Sequence, residues 1–241
     1  MDRQPLLSVH DLVKAFGPVR AVDGVSLDLY PQEVVGIIGD NGAGKSTFLS
    51  LLVGFHQPDS GSVRYRGKEV SINSPRTARN QLGVEMIYQN LELAPDLTVW
   101  ENLFLGEEIK RLGIFADRRK MPSRASEILR ELNLKIGPRD IVGNLSGGEK
   151  QAVAIGRALL FERDVVIMDE PTAAVSVQKV EDVLNLIRRL RSHGKTVLLV
   201  SHRLEDVLSV ADRIVVFYHG TIRKILKNEG LGVSDLVHEM F

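Results

Sequence analysis

Cysteine is absent from all 241 residues, which excludes disulfides, thiolate metal sites and cysteine nucleophiles together and fits a reducing compartment. Aromatic residues are scarce at 5%, with one Trp, and no apolar run exceeds a handful of residues, as at Val197 to Val200. A bilayer-spanning helix needs about 20 such residues, so no segment is expected to cross a membrane or enter one unaided. The opening Met1-Asp2-Arg3-Gln4-Pro5 lacks a basic region followed by an apolar stretch, and no targeting leader is expected. Excess charge of either sign is missing too, since 31 Lys and Arg meet 31 Asp and Glu. A net charge of zero provides no global field toward nucleic acid or anionic lipid, and it favours self-association unless a partner covers surface. What is present, 44% hydrophobic and 26% charged residues, is the composition of an ordinary globular chain able to bury a substantial core.

Val25, Leu27 and Leu29 alternate with Ser26 and Asp28, the period-two pattern of a half-buried strand, and Val63 and Tyr65 repeat it. Gly17-Pro18 and Asp23-Gly24 read as turns between short strands, so the opening third is expected to hold an antiparallel sheet. Inserted into it is Val34 to Ile38, apolar without alternation, as a parallel strand covered on both faces would be. Further apolar runs at Val84 to Tyr88, Val165 to Met168, Val197 to Val200 and Ile214 to Phe217 are separated mostly by helical patterns, giving an α/β fold class. Val180, Val183, Leu184 and Ile187 lie at helical spacing with Gly194 as the stop, and Ala125, Ile128, Leu129 and Leu132 form a second stripe. Between about Leu91 and Leu160 no strand is expected. His219-Gly220 turns a closing hairpin, and the tail after Asn228 is too short for another domain. The expectation is one unit over 1–241, with a core at about 1–90 and 161–241 and a helical subdomain at about 91–160.

Gly39-Asp40-Asn41-Gly42-Ala43-Gly44-Lys45-Ser46 fits the pattern G-x-x-x-x-G-K-[ST], directly after one buried strand and before the helical run Thr47 to Leu52. The glycines let successive N–H groups face one concavity, and the helix adds its positive end, so a polyphosphate is held largely by main chain. Lys45 would reach the β and γ phosphates and the Ser46 hydroxyl would hold magnesium. Without that context the same residues are a glycine turn with an incidental lysine. The strand from Asp164 runs into Asp169-Glu170. Adjacent strand residues point opposite ways, so the two acids are expected to differ in work, Asp169 on magnesium and Glu170 polarising a water in line with the γ phosphate. Alone, such an acidic strand end is a solvated exit to a loop. Leu145-Ser146-Gly147-Gly148-Glu149-Lys150-Gln151 opens another helix, by itself an ordinary capped start and beside the phosphate loop a second anion-receptive one.

In this order, the phosphate loop at 39–47, Gln89 after a buried strand, Leu145-Ser146-Gly147-Gly148, Asp169-Glu170 and His202 resemble the nucleotide-binding subunit of ABC transporters over essentially the whole chain. The resemblance implies a P-loop NTPase fold of the ABC-ATPase kind, with a mostly parallel core, an antiparallel β subdomain and a helical one. It implies ATP and Mg2+ as ligands, and a second copy packed head to tail. Each ATP would then lie between the loop Gly39 to Thr47 of one copy and Ser146, Gly147, Gly148 and Glu149 of the other. By the same resemblance Phe16 stacks on adenine, Gln89 touches magnesium and the attacking water at the hinge into the helical subdomain, and His202 contacts the γ phosphate. From residues alone, an ordinary core position is the alternative for Phe16, and a lone strand-end Gln or His carries no role.

Two departures stand out. Ser176 occupies the place of an aspartate that helps connect the two sites across the dimer, and Glu149 stands where many relatives carry Gln. Gly83 to Pro95, with Glu101-Asn102-Leu103-Phe104-Leu105-Gly106, resembles the ribose, xylose and fructose type of bacterial carbohydrate importer. Many of that branch fuse two ATPase halves, whereas this chain holds one and would need a second copy. A regulatory domain of the maltose type is not expected, because the chain ends at Phe241. The implied role is to energise a multispanning membrane permease that imports a monosaccharide, supplied by a periplasmic or extracellular solute-binding protein, with this chain peripheral at the cytoplasmic face. Import of branched-chain amino acids or another small solute stays open. So does an ABC ATPase acting on DNA or ribosomes, although coiled-coil, zinc or tandem insertions are not visible and no nucleic acid is expected as a partner.

Overall fold

The computed structural model describes residues 4–111, 115–173 and 175–240; Met1, Asp2 and Arg3 of the opening, Ala174 before Ser176, and Phe241 lie outside them. The alternating opening forms β1 (Leu7–Phe16) and β2 (Val19–Leu29), joined at Gly17-Pro18. The chain then leaves for β3 (Val34–Ile38) and α1 (Lys45–Leu52) before returning as β4 (Ser60–Tyr65) and β5 (Lys68–Val70). The resulting antiparallel sheet has the order β2-β1-β4-β5. Asp23-Gly24, expected as a turn, lies inside β2. The register steps from Leu12↔Val25 to Lys14↔Val22, so β2 carries one extra residue there, and Gly24 at φ 68° absorbs the bulge.

Next come α2 (Pro75–Leu82), β6 (Val84–Ile87), α3 (Val99–Phe104), a short pair β7 (Lys110–Arg111) and β8 (Phe115–Ala116), α4 (Lys120–Glu131) and α5 (Gly147–Leu160). The expectation of no strand in this stretch is corrected by the antiparallel pair β7–β8, whose two-residue strands are too short to leave a periodic signal. The chain closes with β9 (Val165–Asp169), α6 (Val177–Ser192), β10 (Thr196–Val200), α7 (Leu204–Val210), β11 (Arg213–Tyr218), β12 (Thr221–Lys227) and α8 (Val233–Met240). A second sheet has the order β12-β11-β3-β10-β9-β6, parallel from β11 to β6 with β12 antiparallel at one edge.

Both faces of this sheet are covered, which is why its strands read as unbroken apolar runs. On β3, Val34 and Ile38 pack with the helices while Val35 and Ile37 pack toward α1 and the antiparallel sheet. Val166 and Met168 on β9, and Val197 and Leu199 on β10, follow the first pattern; Val165, Ile167, Leu198 and Val200 follow the second. The apolar stripes of α3, α4 and α5 enter the same core as the first face, so the helical stretch has no separate core. Its seam with the sheet holds an ion cluster. Buried Arg163 places Nε 3.3 Å from a Glu85 carboxylate oxygen, donates from Nη1 to the Arg79 carbonyl at 2.9 Å, and grips Glu107 with Nη2. Among the described residues no helix is long and apolar enough to cross a membrane.

Candidate active site

The phosphate loop follows β3 at the centre of the parallel sheet and passes directly into α1. Two of its glycines are demanded by packing. A Cβ on Gly39 would lie 2.3 Å from the Phe217 carbonyl oxygen, and one on Gly44 2.1 Å from that of Ala21. Gly42, at φ 82°, has nothing within 4 Å of that position and fronts open space, where a bound group can approach the backbone. Gly44 also caps α1 without any side-chain bond, so the N–H groups of the first turn are left for a ligand. Lys45 reaches back along the loop, its Nζ donating to the carbonyls of Gly39 at 2.7 Å and Asp40 at 2.9 Å.

Asn41, Gly42, Gly44, Lys45, Ser46 and Thr47 border a cleft of about 450 Å³. Gln89, just beyond β6, and Asp169 and Glu170, at the end of β9, complete that border. The expectation that the two acids point apart assumes a strand running through both. β9 instead stops at Asp169, and Glu170 takes a left-handed backbone, φ 52°, with its amide bonded to the Val200 carbonyl at 2.9 Å, which brings both acids to one cleft. Burial pushes the Asp169 carboxyl up from its ordinary pKa, Glu170 adds to this, and Lys45 opposes it. Burial likewise lowers the Lys45 ammonium, against the pull of Glu170, Asp169 and Asp40. His202, beyond β10, sets Nδ1 2.7 Å from Glu170 Oε2. This is a close approach between unaligned groups, because that buried oxygen accepts no hydrogen bond.

Other expected site residues lie elsewhere. Gly39, Asp40 and Ala43 belong to the loop without bordering the cleft, the first two accepting from Lys45 and Ala43 accepting at 2.9 Å from the Gly220 amide. Phe16 ends β1 at the surface, 44% exposed and edge-on to His56, which removes the core reading; it does not border the cleft. Ser146, Gly148 and Glu149 border a different depression, of about 630 Å³, together with Lys179, Asp182 and Arg189. There Ser146 caps α5, which begins at Gly147, and Glu149 closes a capping box, accepting from the Ser146 amide at 2.8 Å and hydroxyl at 2.7 Å. A glutamate in this place therefore has a structural task. Ser176 is the N-cap of α6 without a side-chain cap bond. Sequence reasoning missed Arg20, Ala21 and His219 on the cleft border. Only the His219-Gly220 turn was legible, and its nearness to the loop arises from tertiary pairing.

A family profile described as "ABC transporter" matches residues 22–173. The xylose/arabinose import ATP-binding protein of Sulfolobus acidocaldarius is 43% identical over 236 residues, covering 98% of this chain and 93% of that protein. A ribose import ATP-binding protein of Rubrobacter xylanophilus is also 43% identical, over 237 residues, and this chain spans 48% of its length. Among solved structures, a nucleotide-free ATP-binding cassette from an ABC transporter superposes with a TM-score of 0.82 at 31% identity, covering 98% of this chain and 94% of that one. A dimeric cassette in a post-hydrolysis state, bound to ADP and Pi, gives 0.75 at 27% identity over 93% of this chain and all of that one.

Proposed function

The chain belongs to the ABC transporter family, and from that premise we propose that it is the ATP-hydrolysing subunit of an importer for a monosaccharide. One observation carries the reading: the phosphate loop, Gln89, Asp169 and Glu170 border one cleft, while the helix start at Ser146 to Glu149 opens on another surface. A single copy thus presents two half-sites, and a second copy packed head to tail completes each. The dimeric relative with ADP and Pi supports this arrangement.

Within the cleft, loop amides and Lys45 bind the phosphates of ATP. The hydroxyl of Ser46, the amide oxygen of Gln89 and the carboxylate of Asp169 are hard oxygen donors suited to Mg2+, which is commonly held by one or two carboxylates plus substrate phosphates. That ion, when bound, neutralises charge on the phosphates. Glu170 accepts a proton from water as the water oxygen bonds to the γ phosphorus and the bond to the β-phosphate oxygen breaks, giving ADP and inorganic phosphate. His202, beside Glu170, is assigned to the γ phosphate, and the Asn41 to Thr47 loop holds the phosphates in line. Phe16, outside the cleft and paired with its bordering residue Val19, is assigned to the adenine.

The sugar assignment rests on the import names of the relatives, and the permease and solute-binding protein follow from it. Residues of about 91–160 are read as the part that moves against the core, and the chain as a peripheral subunit at the cytoplasmic face. Co-purification from detergent-solubilised native membranes, nuclease-treated and with ATP and magnesium present, tests this. Recovery of a multispanning permease and a sugar-binding protein is expected. Recovery of ribosomal or DNA-repair proteins without a membrane chain would overturn the transport role and leave the ATPase chemistry.

A further inference from the structure

One wall of the cleft has no role in the chemistry above. Sheet order sets the phosphate loop, after β3, between two flanks, with β10 and β9 on one side and β11 on the other. Asp169 and Glu170 occupy the β9 flank and fix the γ-phosphate end. The opposite flank is closed by Val19, Arg20 and Ala21 and by the turn between β11 and β12, His219-Gly220. A nucleoside triphosphate laid along the loop therefore directs its sugar toward this turn. Phe16, paired with Val19 across the β1–β2 hairpin, lies beyond the same flank.

The turn is a two-residue loop with positive φ at both positions, 44° at His219 and 80° at Gly220, the type I′ geometry. The backbone beside it is tied down from two directions. The Gly220 amide donates to Ala43 of the phosphate loop at 2.9 Å, and the Gly220 carbonyl accepts from Asp23 at 2.8 Å. A Cβ on Gly220 would already lie 3.0 Å from the Arg20 carbonyl, so the turn packs without slack. The imidazole itself stands perpendicular to the Tyr218 ring, centroids 4.4 Å apart, and Tyr218 is covered in turn by Arg223 at 5.1 Å. A histidine on a fixed backbone, oriented by an aromatic neighbour and bordering the cleft, is placed to meet a group bound there.

We propose that His219 is a binding residue for the sugar of the nucleotide. Its imidazole offers one donor and one acceptor nitrogen, which match hydroxyls that both donate and accept, and the site thereby prefers ribonucleoside to 2′-deoxyribonucleoside triphosphates. The inference rests on the ATPase reading and adds a specificity determinant to it.

His219→Gly is the informative variant, because glycine suits the turn better than histidine and only the ring is lost. Calorimetric titration with ATP and with 2′-deoxyATP, alongside steady-state turnover of the full chain, reads the effect. The unsubstituted protein is expected to bind ATP about three- to tenfold more tightly than 2′-deoxyATP, the range of one hydrogen bond. His219→Gly should bind both alike and more weakly, with a raised KM, an unchanged kcat and an undiminished Tm. His219→Gln, which keeps a donor and an acceptor, should recover part of the preference. Equal discrimination by the unsubstituted protein and His219→Gly, or an unchanged KM, overturns the assignment and leaves His219 a turn residue. Failure of the unsubstituted protein to bind ATP at all would remove the ATPase reading instead, so the two failures are distinct.

Discussion

Replacing Arg163 with Met cuts the ion cluster that pins the helical stretch to the sheet. The Arg163 side chain is 8% exposed and the Glu85 carboxylate beside it 4%. Methionine occupies much of the same space without charge, so pairing is lost more than packing. Among the described ion pairs Glu85 would then keep Arg79, whose Nε lies 3.2 Å away on a side chain one-third exposed, and Glu107 would keep the same group at 3.8 Å, with half-buried Arg157 adding a longer-range attraction to both. Removing one member of a buried pair costs about 3–5 kcal/mol, and the remaining Arg79 places the loss near the lower end. With roughly 2–4 °C per kcal/mol for a chain of this size, the melting temperature should fall by about 6–12 °C. Scanning calorimetry with a parallel urea titration measures it, and the urea slope should hold if the unfolded state is unaffected. Adding Glu107→Gln should cost less in the Arg163→Met background than alone, since the two share one interaction. A loss under about 1 kcal/mol would refute the reasoning, because it would put the cluster among exposed ion pairs.

Glu170→Gln should retain ATP binding and lower turnover by about 10²- to 10⁴-fold, the usual share of a general base; single-turnover rates with radiolabelled ATP decide it. Lys45→Ala should weaken ATP binding by about 10- to 100-fold in a titration, and an unaltered affinity would remove the phosphate-loop assignment. Gly44→Ala should destabilise by more than about 2 kcal/mol, since its Cβ would meet the Ala21 backbone at a φ of 102°; normal melting would contradict this. The Ser146 hydroxyl, then the Ser146 amide, hold the Glu149 carboxyl below its ordinary pKa of 4.5. Its stabilisation of α5 is therefore full above that value and fades as pH falls through the depressed one, so the Tm gap between the unsubstituted protein and Glu149→Gln should close in acid. A gap independent of pH would contradict the capping role.

Where function is local in sequence, it was legible. Gly39 to Ser46 announces its loop because a strand, a glycine curl and a helix follow one another without interruption. Val34 to Ile38 and Val197 to Val200 announced a covered parallel sheet because both faces are apolar. Features made by distant residues were silent. Arg163 meets Glu107 and Glu85 across 56 and 78 positions, with no periodicity to betray them. Glu170 could not be aimed correctly from strand alternation, because the strand ends one residue earlier and the backbone turns left-handed. Gly24 reads as a turn and as a bulge with equal ease, since both require positive φ; only the partner strand distinguishes them. His219 looked like half of a turn because its second role depends on where β11 lies beside β3.

The edge strand β12 bears on solubility. An unpaired strand edge offers a row of amides and carbonyls to any passing chain, and a molecule with no net charge has little long-range repulsion to keep such a chain away. Arg223, Lys224 and Lys227 stand exposed along this strand of seven residues. Lys224 is paired with Glu239 on α8, which leaves Arg223 and Lys227 as the positive charges where a neighbouring strand would have to dock, so exchanging those two for neutral residues should promote edge-to-edge association, visible as rising light scattering at unchanged Tm.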